Sequence, residues 1–302
     1  MSQPIRHFAS IVSQQYVGAL MRLCLDDSGS NDYTKTPTVA VAGAILPLER
    51  WDTLAEAWQP FDHEIKKRDP KHQAGGFHAT RLVTSRRFSQ DDKAAYFHKL
   101  MDLLLDGSPP PIILGAIESA FPYGFLKRRD ADRDKNRQET QSGRTPLRRC
   151  DVRRGPRSTI VRGHEDPYYV ALQVSWAIAA TQEWPPNEKL HVVVALKSEP
   201  GDKSGGGRTR KLYRRFYRRH HDRFFSGITT DVGTNLSVPL KVADGIAYLL
   251  GWYFRPRMPG PNDDLRDALL RPLAKRLLKA SPVVEFMGMR VDVASVLAAF
   301  ED

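Results

Sequence analysis

The chain has 302 residues, of which 41% are hydrophobic, so it can bury a full core as one large domain or as a domain with insertions. Its formal net charge of +11 favours a polyanionic partner such as nucleic acid over an acidic small substrate. Cys24 and Cys150 are the only cysteines and lie far apart, so the sequence supports neither a disulfide framework nor a thiolate zinc site. No apolar run has the length of a signal peptide or a membrane span, and we therefore expect a cytoplasmic protein without a membrane partner.

The first half of the chain predicts three strands and two helices. Apolar and β-branched runs predict strands over residues 19–25, 38–46 and 112–117. Apolar residues at helical spacing predict amphipathic helices over 48–65 and 91–106. The short span between the first two strands indicates a hairpin with a wide loop.

The second half alternates helices and strands. Residues 168–180 are apolar on nearly every side and predict a buried helix, and the continuous apolar run 190–196 predicts a strand buried on both faces. A helix over 208–223, a weaker strand over 225–232 and an apolar helix up to Phe254 follow. Two amphipathic helices, at about 263–279 and 291–300, close the chain.

This element order predicts an α/β fold with a mixed sheet. Three antiparallel strands form a meander, and the later strand-helix-strand units add parallel strands with helices on the faces of the sheet. In such a sheet the end of the strand 190–196 can lie next to the first strand, and the last core helix can carry Asp244 across to both. Ribonuclease H-like folds have this order of elements.

Acidic residues stand at the ends of several predicted elements. Asp26 and Asp27 end the first strand, Glu118 ends the third, Glu199 follows the central strand, and Asp244 opens the last core helix. An unpaired carboxylate beside a strand core is costly to bury, so such a strand end usually has a cap or a metal. Converging carboxylates make an oxygen-ligand site for Mg²⁺ or Mn²⁺, and two such ions can activate a water and stabilise the leaving oxygen of a phosphodiester.

Each acid also has a structural interpretation. The first strand-end carboxylate can accept hydrogen bonds from turn amides, and Asp244 can be a first-turn acid favoured by the helix dipole. Asp27 should point to the other side of the strand, as a turn cap or a secondary ligand. Glu118 can pair with an arginine, and Asp202 can be the ligand in place of Glu199.

Basic residues and one histidine complete the candidate residues. His78 follows a Gly-Gly turn and is either a proton shuttle or ligand near the site, or a structural histidine. Residues 127–163 are rich in Lys and Arg and show no apolar period, which predicts an exposed loop. The helix 208–223 has one basic face that we expect beside the proposed site, where it can attract phosphate, although a solvated helix face has the same pattern. The candidate nucleic-acid contacts are Lys203, Arg208, Arg210, Lys211, Arg214, Arg215, Arg218 and Lys241.

Three short motifs, in this order, resemble a family of bacterial proteins known as domain of unknown function 3800. Asp26-Asp27-Ser28-Gly29 resembles its Asp-Glu-Ser-Gly opening, Phe77-His78-Ala79 its His-Ala signature, and Pro239-Leu240-Lys241-Val242-Ala243-Asp244 its Leu-Gln-x-Ala-Asp helix start. Glu199 sits where family members tend to place an acid. The resemblance covers roughly residues 20–255. It implies a ribonuclease H-like fold and either a metal-dependent nuclease or a relative that has lost activity.

We therefore expect an N-terminal arm (1–18), a ribonuclease H-like domain (19–255) and a C-terminal helical extension (256–302). The domain carries a helical insertion (48–111) and the basic loop insertion (127–163).

The function expected first is divalent-metal-dependent hydrolysis of phosphodiesters in RNA or DNA. Asp26, Glu199 and Asp244 would hold Mg²⁺ or Mn²⁺, with Asp27, Glu118 and His78 in support. The alternative is a catalytically inactive module of the same fold that binds nucleic acid or has a toxin or defence role. Asp27 in place of the family's Glu and Lys241 in place of its Gln would then be signs of lost activity.

Overall fold

A mixed β-sheet flanked by helices is the frame of the chain. Its strands are β1 (Met21–Ser28), β2 (Thr38–Pro47), β3 (Ile112–Ser119), β4 (Leu190–Ala195), β5 (Phe224–Asp231) and the short β6 (Met287–Gly288). Its helices are α1 (Leu48–Arg68), α2 (Ala79–Thr84), α3 (Gln90–Leu105), α4 (Pro167–Thr181), α5 (Gly207–Arg219), α6 (Val238–Phe254) and α7 (Asp263–Ala280). The computed structural model describes residues 20–29, 38–69, 77–119, 167–181, 189–196, 207–231, 237–254, 263–280 and 287–288.

The strands lie in the order β5-β4-β1-β2-β3-β6. β1 pairs antiparallel with β2, and β2 pairs antiparallel with β3, which is the predicted meander. β4 lies parallel to β1 on its other side, and β5 lies parallel to β4. The prediction of a mixed sheet with helices on its faces is therefore confirmed, whereas β6, which pairs with β3, was not predicted.

Most element bounds agree with the sequence patterns to within a few residues, but some differ. β1 does not end before its acids, because Asp26, Asp27 and Ser28 pair with residues 40–42 of β2. β3 continues through Glu118, and the helix α2 begins at Ala79 where the sequence predicted only a turn. The predicted arm 1–18, the basic loop 127–163 and the helix 291–300 lie outside the described residues. No helix in the described ranges is both long enough and apolar enough to span a membrane.

The sheet is covered on two faces. Cys24 and Ala42 point to the front face, which packs against helices α1, α3 and α6. Leu23 and Val41 point to the back face, which packs against α4 and α5. Val193 of β4 belongs to the front cluster while its neighbours in the strand belong to the back cluster, so β4 is buried on both sides, as its continuous apolar run predicted.

Helix α6 crosses the front face at close range. At its start, the Ser237 amide donates to Asp231 Oδ2 at the end of β5 (3.4 Å). Near its other end, a Cβ on Gly251 would lie 3.0 Å from the Ala40 Cβ, which is a tight contact, so the glycine eases this close approach to β2. The helix thereby passes from β5 to β2 and carries Asp244 over β1.

Candidate functional site

Two carboxylates meet on the front face of the sheet, and we call them the carboxylate pair. Asp26 lies near the carboxyl end of β1 and is 8% exposed, and Asp244 of α6 is 5% exposed. The charge of Asp244 acts directly on Asp26. Because α6 begins at Val238, Asp244 lies beyond its first turn. A favourable interaction with the helix dipole therefore does not explain why an acidic residue is found at this position.

Burial and mutual repulsion make the carboxylate pair electrostatically unfavourable. Burial, and then the charges of Asp244 and Asp27, raise the pKa of Asp26 well above its ordinary value. Burial also raises the pKa of Asp244, although the nearby His78 and Arg81 side chains and a backbone amide oppose the rise. Two buried carboxylates of this kind are stabilised by a shared proton or by a cation between them.

Among the described residues, each member of the carboxylate pair accepts a hydrogen bond through one of its two oxygens. Asp26 Oδ1 accepts from the Asp27 amide (2.7 Å), and Asp244 Oδ2 accepts from the Ala79 amide (2.6 Å). Within the described part of the chain, Asp26 Oδ2 and Asp244 Oδ1 have no hydrogen-bond donor. In each carboxylate a backbone amide holds one oxygen, so the second oxygen has a fixed direction. Two carboxylate oxygens held in this way fit a hard cation such as Mg²⁺ or Mn²⁺.

The pair alone is an incomplete set of metal ligands. Among the described residues, no three His, Cys, Asp or Glu side chains come close enough together to hold a metal ion. The predicted third ligand, Glu199, lies outside those residues, as do its alternative Asp202 and the predicted phosphate contact Lys203. The strand that precedes them, β4, lies parallel to β1 as expected, with Val194 opposite Leu25.

Asp27 and Glu118 lie on the other face of the sheet. Asp27 is opposite Val41 and Glu118 is opposite Val39, and both valines belong to the back-face cluster. Directly opposed residues in a sheet point to the same side, so both acids point away from the carboxylate pair. The expected orientation of Asp27 is thus found, whereas Glu118, which is buried, is not at the site as expected.

His78 lies beside the carboxylate pair, as the sequence suggested. It is the N-terminal capping position of α2, and its Nδ1 atom lies 3.7 Å from Asp244 Oδ2, which is too long for a hydrogen bond. Its side chain is 45% exposed, but Nδ1 is buried and has no hydrogen-bond partner among the described residues. The imidazole therefore has one edge against Asp244 and the other towards solvent.

Similarity to known proteins adds nothing to this geometry. No protein-family model, no curated protein and no solved structure matches the chain.

Lys241 was predicted to contact phosphate, and the structure places it elsewhere. Its side chain is buried, and its Nζ atom lies 2.9 Å from Asp62 Oδ2. A lysine whose ammonium group is enclosed in an ion pair offers no exposed charge to a phosphate. The prediction of a surface contact is corrected, because the sequence did not show that Asp62 of α1 would face this turn of α6.

The basic helix α5 was predicted to lie beside the site, and it packs on the opposite face of the sheet. Its apolar residues Tyr213 and Phe216 contact Trp176 of α4 within the back-face cluster. Arg208 is partly buried, with its guanidinium 4.0 Å above the Tyr169 ring. The exposed basic residues of α5 are Arg210, Lys211, Arg214, Arg215 and Arg218, and no acidic residue occurs in the helix.

Sequence reasoning missed three polar residues on the front side. Asp62 accepts a hydrogen bond from the Phe77 amide and so helps to hold residues 77–79 beside the site. The positive charge of Arg81 acts on Asp244. Arg81 follows His78 by three residues, which is one helical turn, so recognition of α2 would have revealed it. Asp231 is the last residue of β5 and lies opposite Ala195, which is one residue beyond the last residue of β4 that pairs with β1. The sequence pattern that could have revealed it is an acidic residue at the end of a predicted strand.

Proposed function

We propose that the chain is a ribonuclease H-like, divalent-metal-dependent phosphodiesterase that acts on nucleic acid. The carboxylate pair carries this proposal, because two buried and mutually repelling acids with oxygens left over are best explained by a cation. The sheet supports it, since a β1–β3 meander with β4 and β5 parallel to β1 is the strand arrangement of ribonuclease H-like folds. The pair also lies near the carboxyl end of β1, where the strand order reverses and open α/β sheets commonly bind ligands.

The residues of the site have distinct roles in this proposal. Asp26 and Asp244 would hold the cation together with Glu199, which follows β4 in the sequence. A divalent cation bound there supplies a Lewis acid for a phosphate oxygen and lowers the pKa of a bound water. The Asp27 and Ala79 amides hold one oxygen of each carboxylate, so that the other oxygens have a fixed direction. His78 is placed to contact the phosphate or to give a proton to the leaving oxygen.

Cleavage of labelled single- and double-stranded RNA and DNA in Mn²⁺ tests the proposal. Asp26→Asn and Asp244→Asn should each lower the rate by about 100-fold or more, because each removes a charged ligand from the reacting centre. Asp27→Asn is the matched control, since it neutralises a neighbouring acid on the back face. Equal cleavage by the wild type and by Asp26→Asn would exclude the proposed nuclease site.

A second candidate function, nucleic-acid binding without catalysis, is favoured by the position of α5. Its exposed arginines form a basic surface on the back of the sheet, away from the carboxylate pair. Such a surface binds phosphates with a strong salt dependence and without metal. Arg214→Glu with Arg215→Glu should weaken duplex binding and flatten its salt dependence, whereas Lys99→Glu on the exposed side of α3 should change little.

A further inference from the structure

Residues 77–79 are held from two sides by carboxylates. Asp62 Oδ1 accepts from the Phe77 amide (2.8 Å), and Asp244 Oδ2 accepts from the Ala79 amide (2.6 Å). The carbonyl oxygen of the residue between them, His78, accepts from the Leu82 amide in the first turn of α2 (2.9 Å). The backbone on both sides of His78 is thereby fixed, so the Cα–Cβ bond of His78 has a fixed direction beside Asp244.

Both carboxylates that hold residues 77–79 depend on helix α6 for their position. Asp244 belongs to it directly, and Asp62 of α1 is held by Lys241, which lies three residues before Asp244 on the same helix (Nζ to Oδ2, 2.9 Å). Lys66 also lies 2.9 Å from Asp62 Oδ2, but its side chain is 38% exposed, against 7% for Lys241. Lys241 is therefore the contact that couples Asp62 to the helix that carries the carboxylate pair.

A buried ion pair is a weak means of stabilisation, because desolvation of the two charges offsets most of their attraction. A geometric role explains the Lys241–Asp62 pair better, since it aligns α1, α6 and residues 77–79 in one orientation. The groups presented by this alignment are the half-exposed His78 imidazole and the exposed Arg81 guanidinium, whose charge acts on Asp244. Guanidinium and imidazole groups are strong hydrogen-bond donors to phosphate oxygens.

We propose that Lys241 and Asp62 are positioning residues, which hold His78 and Arg81 where both contact the substrate phosphate. This inference rests on the proposed function, since it concerns the phosphate that would react at the carboxylate pair. Lys241 acts through its buried contact and does not itself touch the nucleic acid. The segment from His78 to Arg81 is then the phosphate-binding rim of the front face.

A double-mutant cycle in binding, without metal, tests the inference. The probe is a dinucleotide with a phosphorothioate linkage, which is too short to join the front-face rim to the basic surface of α5, and its affinity is measured by NMR titration. Arg81→Ala should weaken binding by about 10-fold, as loss of a charged phosphate contact does. Lys241→Met should weaken binding at least as much, because it displaces both His78 and Arg81. The double variant should bind no more weakly than Lys241→Met alone, because Arg81→Ala then removes an interaction already lost.

Lys66→Met is the matched control, because it removes the other ammonium group from the same Asp62 oxygen and should weaken binding less than 2-fold. If Lys241→Met does not fold, as judged by circular dichroism, Lys241→Gln replaces it in the cycle. Additive losses near 100-fold, or equal losses from Lys66→Met and Lys241→Met, would overturn the positioning role.

The two proposals fail differently. One outcome is that the wild type binds the probe with a non-additive cycle while Asp26→Asn still cleaves nucleic acid in Mn²⁺. That result would support the phosphate-binding rim and exclude the proposed nuclease site. If Asp26→Asn abolishes cleavage but Arg81→Ala binds the probe as the wild type does, the result supports the nuclease site and excludes the phosphate-binding rim. Absence of any binding of the probe by the wild type overturns the rim as well.

Discussion

Substitution of Asp26 by Asn should stabilise the metal-free protein. The Asn Oδ1 atom can still accept the hydrogen bond from the Asp27 amide, and the change removes the charge and places an NH2 donor towards Asp244. Two like unit charges at about 4 Å repel by roughly 4 kcal/mol at an effective dielectric constant of about 20, and this value is the upper bound on the repulsion that the substitution can relieve. Protonation of one member of the carboxylate pair already relieves part of this energy, because burial and repulsion raise the pKa of Asp26. We therefore expect a gain of about 1–2 kcal/mol, or a rise of roughly 2–6 °C in Tm.

Thermal unfolding in EDTA and in Mn²⁺ measures both parts of this prediction. In EDTA at neutral pH the Asn variant should melt above the wild type, and Mn²⁺ at about 100 times its Kd should stabilise only the wild type, by about 2.7 kcal/mol. Glu56→Gln is the control, because Glu56 is an exposed acid of α1 outside the carboxylate pair. If Asp26→Asn melts several degrees below the wild type in EDTA, Asp26 is a structural cap and the repulsion argument is refuted.

The other predictions concern stability and its dependence on pH. Ser89→Ala should lower the free energy of unfolding by about 1 kcal/mol in urea, because it removes the capping box of α3, and an unchanged midpoint would contradict this. Gly43→Ala should cost about 3 kcal/mol, since the new Cβ would lie 1.8 Å from a backbone oxygen of β1, whereas Gly227→Ala, with open space around it, should cost much less. Burial alone would raise the pKa of Asp62, but hydrogen bonds from two lysines and a backbone amide outweigh it and lower the pKa. A carboxylate whose pKa is lower in the folded state stabilises the fold at pH values above its unfolded-state pKa, near 4, and this stabilisation is lost as the pH falls through the folded-state pKa. The loss of stability caused by Asp62→Asn should therefore become smaller below about pH 4.

The corrected position of α5 separates two surfaces that the sequence had placed together. The carboxylate pair and the His78–Arg81 rim lie on the front face, while the exposed arginines of α5 lie on the back. We therefore expect that mutations of the two faces affect the proposed cleavage and the proposed nucleic-acid binding independently. Variants of the two faces distinguish an enzyme with a separate binding surface from a binding module that lacks activity.

The sequence by itself predicted the five main strands and most of the helices. Continuous or periodic apolar runs predicted each of the five main strands, because the spacing of buried residues reflects strand and helix geometry directly. The order of those elements was enough to place β4 beside β1 and Asp244 over Asp26. Both placements follow from the few ways in which a meander and parallel crossovers can join one sheet.

Only the tertiary structure decided which face each side chain occupies and which distant residues pair. Glu118 points away from the carboxylate pair because of the register of three strands, and a slip of one residue would have reversed its face. Lys241 meets Asp62 across 179 residues of sequence, where no local pattern links the two. The helix α5 has the same basic face whether it packs on the front or the back of the sheet, and its position is decided by which cluster of core residues receives Tyr213 and Phe216.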